Sequence, residues 1–173
     1  MRCGPLHPHD HDTDLGSTTA RVLGHQRVRP DSGGADGSAE AGCARLAYAG
    51  GVRVLIVDGA NVVGSRPTGW WRDRAGAATR LHQAIATADL GYDVVVLVLE
   101  GDATRGQPVG EEGAIRTVHA PGSGDDAIVE QVRAWRRDGA DVVAVTADRG
   151  LRERVAAACG SSVGPSWLLA RTS

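Results

Sequence analysis

Long apolar runs and periodic apolar positions divide the chain into predicted strands and helices. Runs rich in β-branched residues cover 52–57, 93–99 and 141–147, and a shorter run covers 115–120. Continuous apolar runs of this length are typical of strands that are buried on both faces of a parallel sheet. The pattern therefore predicts four buried strands.

Between the predicted strands, apolar residues recur at helical spacing. This periodicity predicts amphipathic helices over 71–89, 125–137 and 149–159. The last residues, SSVGPSWLL, leave room for a short edge strand. The resulting order, β-α-β-β-α-β-α-β, predicts an α/β fold with a mainly parallel sheet that helices cover on both faces.

Residues 1–51 follow neither pattern. Gly, Asp, Ser, His and Arg dominate this segment, and no apolar periodicity persists in it. We interpret it as a disordered extension or as the product of a miscalled upstream start, and we expect 52–173 to form one domain. The segment lacks the continuous apolar region of a secretory leader, and nowhere does an apolar run approach the roughly 20 residues of a membrane span.

Composition restricts the possible chemistry. All 19 basic residues are Arg, Lys and Phe are absent, and Asn61 is the only Asn, which indicates a GC-rich and hence bacterial coding sequence. The lack of Lys excludes P-loop nucleotide hydrolysis, protein-kinase chemistry and Schiff-base catalysis. The three Cys residues form no CxxC pair, so we expect no zinc ribbon and a protein that works in a reducing cytoplasm.

Acidic side chains follow each of the four predicted strands. In chain order they are Asp58, Glu100, Asp102, Asp125, Asp126 and Asp148. The carboxyl ends of parallel strands meet at one edge of a sheet, so we expect these side chains to lie close together. Clustered carboxylates repel one another, and a hard divalent cation relieves that repulsion. The sequence therefore predicts a site for Mg²⁺ or Mn²⁺ at this edge.

The same residues also have structural interpretations. Asp58 could form a plain turn, Asp148 could cap the last helix, and Asp125 or Asp126 could serve the start of the helix that Ser123 precedes. Whether Glu100 joins the site is left open. Asn61 could orient a water or a phosphate through its amide, or it could be a turn residue in left-handed backbone conformation.

Three segments together resemble the NYN family of PIN-like ribonuclease domains: LIVDGANVVG (55–64), GSGDDAIVEQV (122–132) and VVAVTADRGLRERV (142–155). The resemblance covers roughly residues 52–169. It implies a Rossmann-like, three-layer α/β/α fold of the PIN type that uses Mg²⁺ or Mn²⁺ to cut single-stranded or structured RNA. The implied metal ligands are Asp58, Asp126 and Asp148, with Asp125 and Asn61 assisting catalysis.

The stretch GSRPTGWWRDRAGAA (64–78) carries the candidate substrate-binding residues. It resembles a bacterial subgroup of NYN-like proteins, some of which are described as nucleotide pyrophosphohydrolases. Arg66, Arg72 and Arg74 would hold phosphates, and Trp71 or its neighbour Trp70 would stack on a base. Alternatively, one Trp is a buried anchor and the arginines form a solvated helix end.

The predicted function is metal-dependent phosphodiester hydrolysis, with RNA as the expected substrate of an endoribonuclease. Residues 52–173 contain 14 Arg against 15 acidic residues, which weakens the case for tight binding to long RNA. Hydrolysis of nucleotides, as a pyrophosphohydrolase or phosphoesterase, is therefore a second hypothesis. A non-catalytic, RNA-binding PIN-like module is the third. The expected partners are RNA or a nucleotide, and no membrane.

Overall fold

A computed structural model describes residues 51–173. Our interpretation of residues 1–51 therefore concerns a segment of which only Gly51 is described. Six strands form one sheet in the described part of the chain. They are β1 (Arg53–Asp58), β2 (Val94–Leu99), β3 (Gly110–Glu112), β4 (Ile115–His119), β5 (Asp141–Val145) and β6 (Ser161–Val163). The four predicted strands and the C-terminal edge strand are thereby confirmed.

Five α-helices connect and flank these strands. They are α1 (Gly59–Gly64), α2 (Arg74–Thr87), α3 (Gly124–Arg137), α4 (Arg149–Ala157) and α5 (Pro165–Leu169). Two short 3-10 helices, Trp70–Arg72 and Gly101–Gly106, lie in the connections. The helix predicted over 71–89 begins later, at Arg74, because Asp73 caps it by accepting a hydrogen bond from the backbone N–H of Gly76.

The strand order in the sheet is β3-β4-β2-β1-β5-β6. All neighbouring strands are parallel except β3 and β4, which pair in antiparallel fashion at one edge. In the centre, Ile56 of β1 aligns with Val96 of β2 on one side and with Ala144 of β5 on the other. The sheet is thus mainly parallel, as predicted.

Each central strand feeds two hydrophobic cores. Val54 and Ile56 of β1 pack towards α3 and α4, together with residues such as Ile128 and Leu151. Leu55 and Val57 face the other way, into the core that α1, α2 and α5 close. Because successive strand side chains point to opposite faces, an all-apolar strand is the natural sequence for a sheet that helices cover on both sides. The three layers are therefore α/β/α.

Two elements were missing from the sequence prediction. Helix α1 has only six residues, begins and ends with Gly, and follows β1 without a linker. Strand β3 reads GEE, is exposed throughout and pairs only with β4. Neither segment has the apolar periodicity on which the prediction relied.

The topology places a crevice beside the end of β1. The chain leaves β1 towards β2 through α1 and α2 on one face of the sheet, and it reaches β5 through α3 on the opposite face. In open α/β sheets such a switch of direction separates the two connections and leaves a crevice at the carboxyl ends of the strands. None of the helices described in residues 51–173 has the length and apolar character that a membrane crossing needs.

Candidate active site

Four carboxylates from four connections line one open cleft at the carboxyl edge of the sheet. They belong to Asp58, Glu100, Asp125 and Asp148, and we call their surroundings the acidic cleft. Its volume is about 480 Å³. The remaining lining residues are Ala60, Asn61, Gly64, Ser65, Gly124 and Ala147. The predicted convergence of acids at the strand ends is therefore seen for these four residues.

Asp58 lies deepest in the acidic cleft and is only 9 % exposed. It ends β1 and caps α1, with Oδ1 accepting from the Asn61 backbone N–H at 3.0 Å. The Thr146 hydroxyl donates to Oδ2 at 3.0 Å. Burial raises the pKa of Asp58 above its ordinary value, and the nearby charges of Asp125 and Glu100 raise it further, although the two hydrogen bonds oppose the shift.

The loop after β5 is bonded to α1 through Asn61 and is ordered by hydrogen bonds of its own. The Asn61 side chain accepts from the Ala147 backbone N–H through Oδ1 at 2.9 Å. Asp148 caps α4 by accepting from the Leu151 N–H at 2.6 Å, and its own N–H donates to the Thr146 hydroxyl at 3.1 Å. The predicted cap role of Asp148 is thus present together with its place in the cleft. The Asn61 amide oxygen is therefore already bonded to the backbone of this loop.

Glu100 follows β2 and reaches across to the start of α3. Its Oε2 accepts from the Gly124 backbone N–H at 2.7 Å. A Cβ on Gly124 would lie 2.7 Å from that same oxygen, so a larger residue at this position would displace the carboxylate from its present place. The sequence left open whether Glu100 joins the site, and the structure places it among the residues that line the acidic cleft.

The neighbouring acids Asp125 and Asp126 point to different surroundings. Asp125 is half-buried in the cleft, and its pKa is raised by burial and next by the charge of Asp148. Asp126 is exposed and its carboxylate forms a salt bridge with Arg154 of α4. Its backbone N–H donates to the hydroxyl of Ser123, which caps α3. The structure thus places Asp125, and not Asp126, among the residues lining the cleft.

The donor set of the cleft is chemically suited to a hard cation but is not a closed cage. Within residues 51–173, no three His, Cys, Asp or Glu side chains converge closely enough to hold a metal ion by themselves. The cleft nevertheless concentrates four carboxylates, two of which have raised pKa values. Mg²⁺ prefers carboxylate oxygens and usually keeps several waters, so an incomplete ligand set of this kind is compatible with it.

The candidate substrate-binding residues lie in two places: Arg66 is near the C-terminus, whereas Arg72, Arg74 and Trp71 lie around Trp70. Arg66 lies away from the cleft, where its guanidinium contacts Ser173 Oγ at 3.2 Å and the Leu169 carbonyl oxygen at 3.5 Å. Arg74 lies over the Trp70 ring, with 5.5 Å between the guanidinium carbon and the ring centroid. Arg72 and Trp71 are exposed on the 3-10 helix before α2, and Trp71 is 56 % exposed.

Thr146 also belongs to the site, although its hydroxyl does not titrate and the sequence alone gave it no role. It is fully buried and bonds to both Asp58 and Asp148. Its place in the sequence could have indicated this role, because Thr146 directly follows an apolar strand and stands two residues before Asp148. Together these residues form an acidic cleft whose carboxylate oxygens are the kind of donor that a hard cation prefers.

No protein-family model matches the sequence, and a search of curated proteins finds no match. Among solved structures, the chain is similar to that of Rae1 (YacP) from Bacillus subtilis, with a TM-score of 0.52 and 15% sequence identity. The superposition covers 70% of this chain and 75% of that chain. A likeness at this identity shows the fold alone, and the fold of the described chain is a three-layer α/β/α arrangement with a mainly parallel sheet, as predicted.

Proposed function

We propose that the acidic cleft hydrolyses phosphodiester bonds with the help of Mg²⁺ or Mn²⁺, and that its substrate is RNA, so that the protein is an endoribonuclease. One observation carries this proposal: carboxylates from four separate connections line a single open cleft. The PIN-like fold and the motifs that resemble NYN domains agree with it.

Helix capping alone does not account for the acids. Ser, Thr and Asn cap helices as well as Asp does, and Ser123 performs that role for α3. Burying the Asp58 carboxylate among other acids carries an electrostatic cost, which is visible in its raised pKa. Perturbed carboxylates gathered in a cleft are characteristic of functional sites.

A divalent cation fits this donor set. Asp58 and Asp148 would hold it, with Glu100 nearby and water completing the coordination, since no three acids of the described residues converge closely enough to hold an ion by themselves. Bound there, the cation would supply positive charge to a phosphoryl oxygen and lower the pKa of a bound water. Asp126, the ligand implied by the sequence resemblance, would first have to leave its salt bridge with Arg154.

The residues of the chain divide the remaining work. Thr146 and the Asn61 N–H hold the Asp58 carboxylate, and Asn61 fixes the loop that carries Asp148. Asp125, with its raised pKa, accepts a proton from the attacking water. The water oxygen forms a new bond to phosphorus, while the bond from phosphorus to the leaving ribose oxygen breaks and that oxygen takes up a proton from a solvent water.

Nucleotide hydrolysis is the second candidate function. The observation that favours it is the near-neutral charge of residues 52–173, in which 14 Arg oppose 15 acidic residues. Long RNA is bound mainly by neutralising its phosphates, and a domain without excess positive charge does this weakly. A substrate with few phosphates avoids that requirement.

The test is incubation of the full chain with single-stranded and hairpin RNA in Mg²⁺, in Mn²⁺ and in EDTA. Nucleoside triphosphates are assayed in parallel for release of phosphate and pyrophosphate. We expect RNA cleavage that needs metal and that Asp58→Asn abolishes, whereas Thr87→Ala, at the far end of α2, retains it. Turnover of nucleotides alone would establish the second function, and intact substrates in every lane would contradict both.

A further inference from the structure

A second, smaller cavity adjoins the acidic cleft, and we call it the Trp70 cavity. Its volume is about 120 Å³. It lies between α1, the 3-10 helix at Trp70, the start of α2 and the end of β2. The lining residues are Gly59, Ala60, Val63, Trp70, Arg74, Ala78, Leu99, Glu100 and Ala103.

The two cavities share a wall. Ala60 and Glu100 line both the Trp70 cavity and the acidic cleft, so the spaces lie on either side of the first turn of α1. The first turn of α1 packs closely on β2, since a Cβ on Gly59 would lie 2.7 Å from the Val98 carbonyl oxygen. Glycine is therefore required where this turn meets the sheet.

The Trp70 cavity combines an aromatic surface with a positive charge at its rim. Trp70 is half-buried, and Trp71 meets it edge-on with ring centroids 6.2 Å apart. The exposed Arg74 lies against the Trp70 ring at 5.5 Å. The other lining side chains are small or aliphatic apart from Glu100. An aromatic ring beside an arginine is the combination on which nucleobases stack next to their phosphates.

We propose that the Trp70 cavity binds one unpaired nucleobase of the RNA strand whose phosphate lies in the acidic cleft. This inference rests on the proposed function and names its substrate class. A base can enter this partly open cavity only when it is neither paired nor stacked in a helix. The substrate class that follows from this inference is unpaired RNA.

The size of the space selects this occupant. A volume of about 120 Å³ suits a ring system and is too small for a helix or a strand of a partner protein, and the cavity adjoins the acidic cleft in which the proposed phosphate would lie. Arg74 offers those phosphates a guanidinium at the rim, whereas the acids of the cleft repel them unless a cation is bound. One RNA strand could thus place a base in the Trp70 cavity and the neighbouring phosphate in the acidic cleft.

The experiment measures binding separately from cleavage. A fluorescein-labelled ribohexamer is titrated with the full-length Asp58→Asn protein in Mg²⁺, alongside the same hexamer with one abasic residue at each position in turn and the hexamer paired to its complement. We expect one abasic position to weaken binding about tenfold or more, in the range of one lost stacking contact, and pairing to abolish it. Free adenosine monophosphate and ribose phosphate serve as small probes.

Two variants assign the effect to the cavity. Trp70→Ala removes the stacking surface, and Ala103→Leu fills the space while keeping Trp70. Each should make the intact and abasic hexamers bind equally, whereas Arg137→Ala, at the exposed C-terminal end of α3, should preserve the difference. Circular dichroism confirms that each variant is folded.

The outcomes separate this inference from the proposed function. Metal-dependent cleavage that ignores abasic positions and Trp70→Ala overturns the base site and leaves the nuclease standing. Base-dependent binding without cleavage by the wild-type chain overturns the nuclease and keeps the base site. Cutting of paired RNA at the rate of single strands overturns the inference as well.

Discussion

Thr146 connects Asp58 to Asp148 through a single hydroxyl group. Its Oγ1 donates to Asp58 Oδ2 at 3.0 Å and accepts from the Asp148 backbone N–H at 3.1 Å. Thr146 itself has no exposed surface. The relative position of the two acids therefore depends on a neutral residue that touches no substrate.

Replacing Thr146 by Val tests this connection, because Val has nearly the same shape but no hydroxyl. The buried Asp58 carboxylate would lose a donor, which costs about 1.5–3 kcal/mol for a bond to a charged group. We expect cleavage to fall about 10²-fold through misplacement of the acids. Thr146→Ser keeps the hydroxyl and should restore most of the activity. Equal rates for the two variants would contradict a positioning role.

The raised pKa of Asp58 makes stability depend on pH in a definite direction. Its folded-state pKa lies above the ordinary value of 3.8, so the folded protein binds this proton more tightly than the unfolded chain does. The ionised group therefore destabilises the fold at neutral pH, and this penalty disappears as pH falls through the raised value towards 3.8.

Asp58→Asn removes that titration while keeping an oxygen that can cap α1. Without metal, we expect the variant to have a higher free energy of unfolding than wild type, by the largest amount near pH 7. This difference in unfolding free energy should shrink as pH approaches 4. Urea unfolding of both proteins across this range measures the difference. A difference that is constant or that grows towards low pH would show that Asp58 is not electrostatically strained.

Asp125 and Asp126 provide a matched pair of adjacent substitutions. Asp125 lines the acidic cleft, whereas Asp126 is bound to Arg154 on an exposed surface. Asp125→Asn should lower kcat about 10²-fold, the scale of a lost proton-transfer group. Asp126→Asn should change kcat by less than about threefold and stability by at most about 1 kcal/mol, as for a surface ion pair. The reverse ranking would restore Asp126 as the metal ligand.

Glu100 can be disturbed directly or through its neighbour. Glu100→Gln keeps an acceptor for the Gly124 N–H but removes a charge, so we expect a stable protein with cleavage reduced about tenfold or more. Gly124→Ala should cause a similar loss, because its Cβ would collide with the carboxylate. Gly122→Ala is the control, since a Cβ there meets no atom within 4 Å. Activity measured for all three decides whether Glu100 belongs to the site.

The sequence predicted the layered fold because its signals are local and strong. The β-branched runs of β1, β2 and β5 are apolar at nearly every position, which only a doubly covered sheet allows. The GEE of β3 carries no such signal, because an exposed edge strand is defined by its pairing with β4 and not by its own burial. Short α1 is likewise stabilised by packing rather than by helix propensity.

The candidate site was predictable in its residue types but not in its details. The rule that strand ends meet at one edge placed Asp58, Glu100 and Asp148 together. It could not separate Asp125 from Asp126, because neighbouring residues at a helix start point about 100° apart and the phase of α3 is set by its packing. Arg66 and Arg74 are close in sequence, yet the turn at Gly69, with φ of 72°, sends them to different surroundings.

Ala60 has a consequence for how such a protein can diversify. Because Ala60 borders both the acidic cleft and the Trp70 cavity, any larger side chain at this position would narrow the two spaces together. Ala78 and Ala103, in contrast, border the Trp70 cavity alone. Under the proposed function, substitutions at Ala78 of α2 or at Ala103 of the 3-10 helix would therefore change the base site alone, whereas a large residue at position 60 would alter the base site and the acidic cleft together.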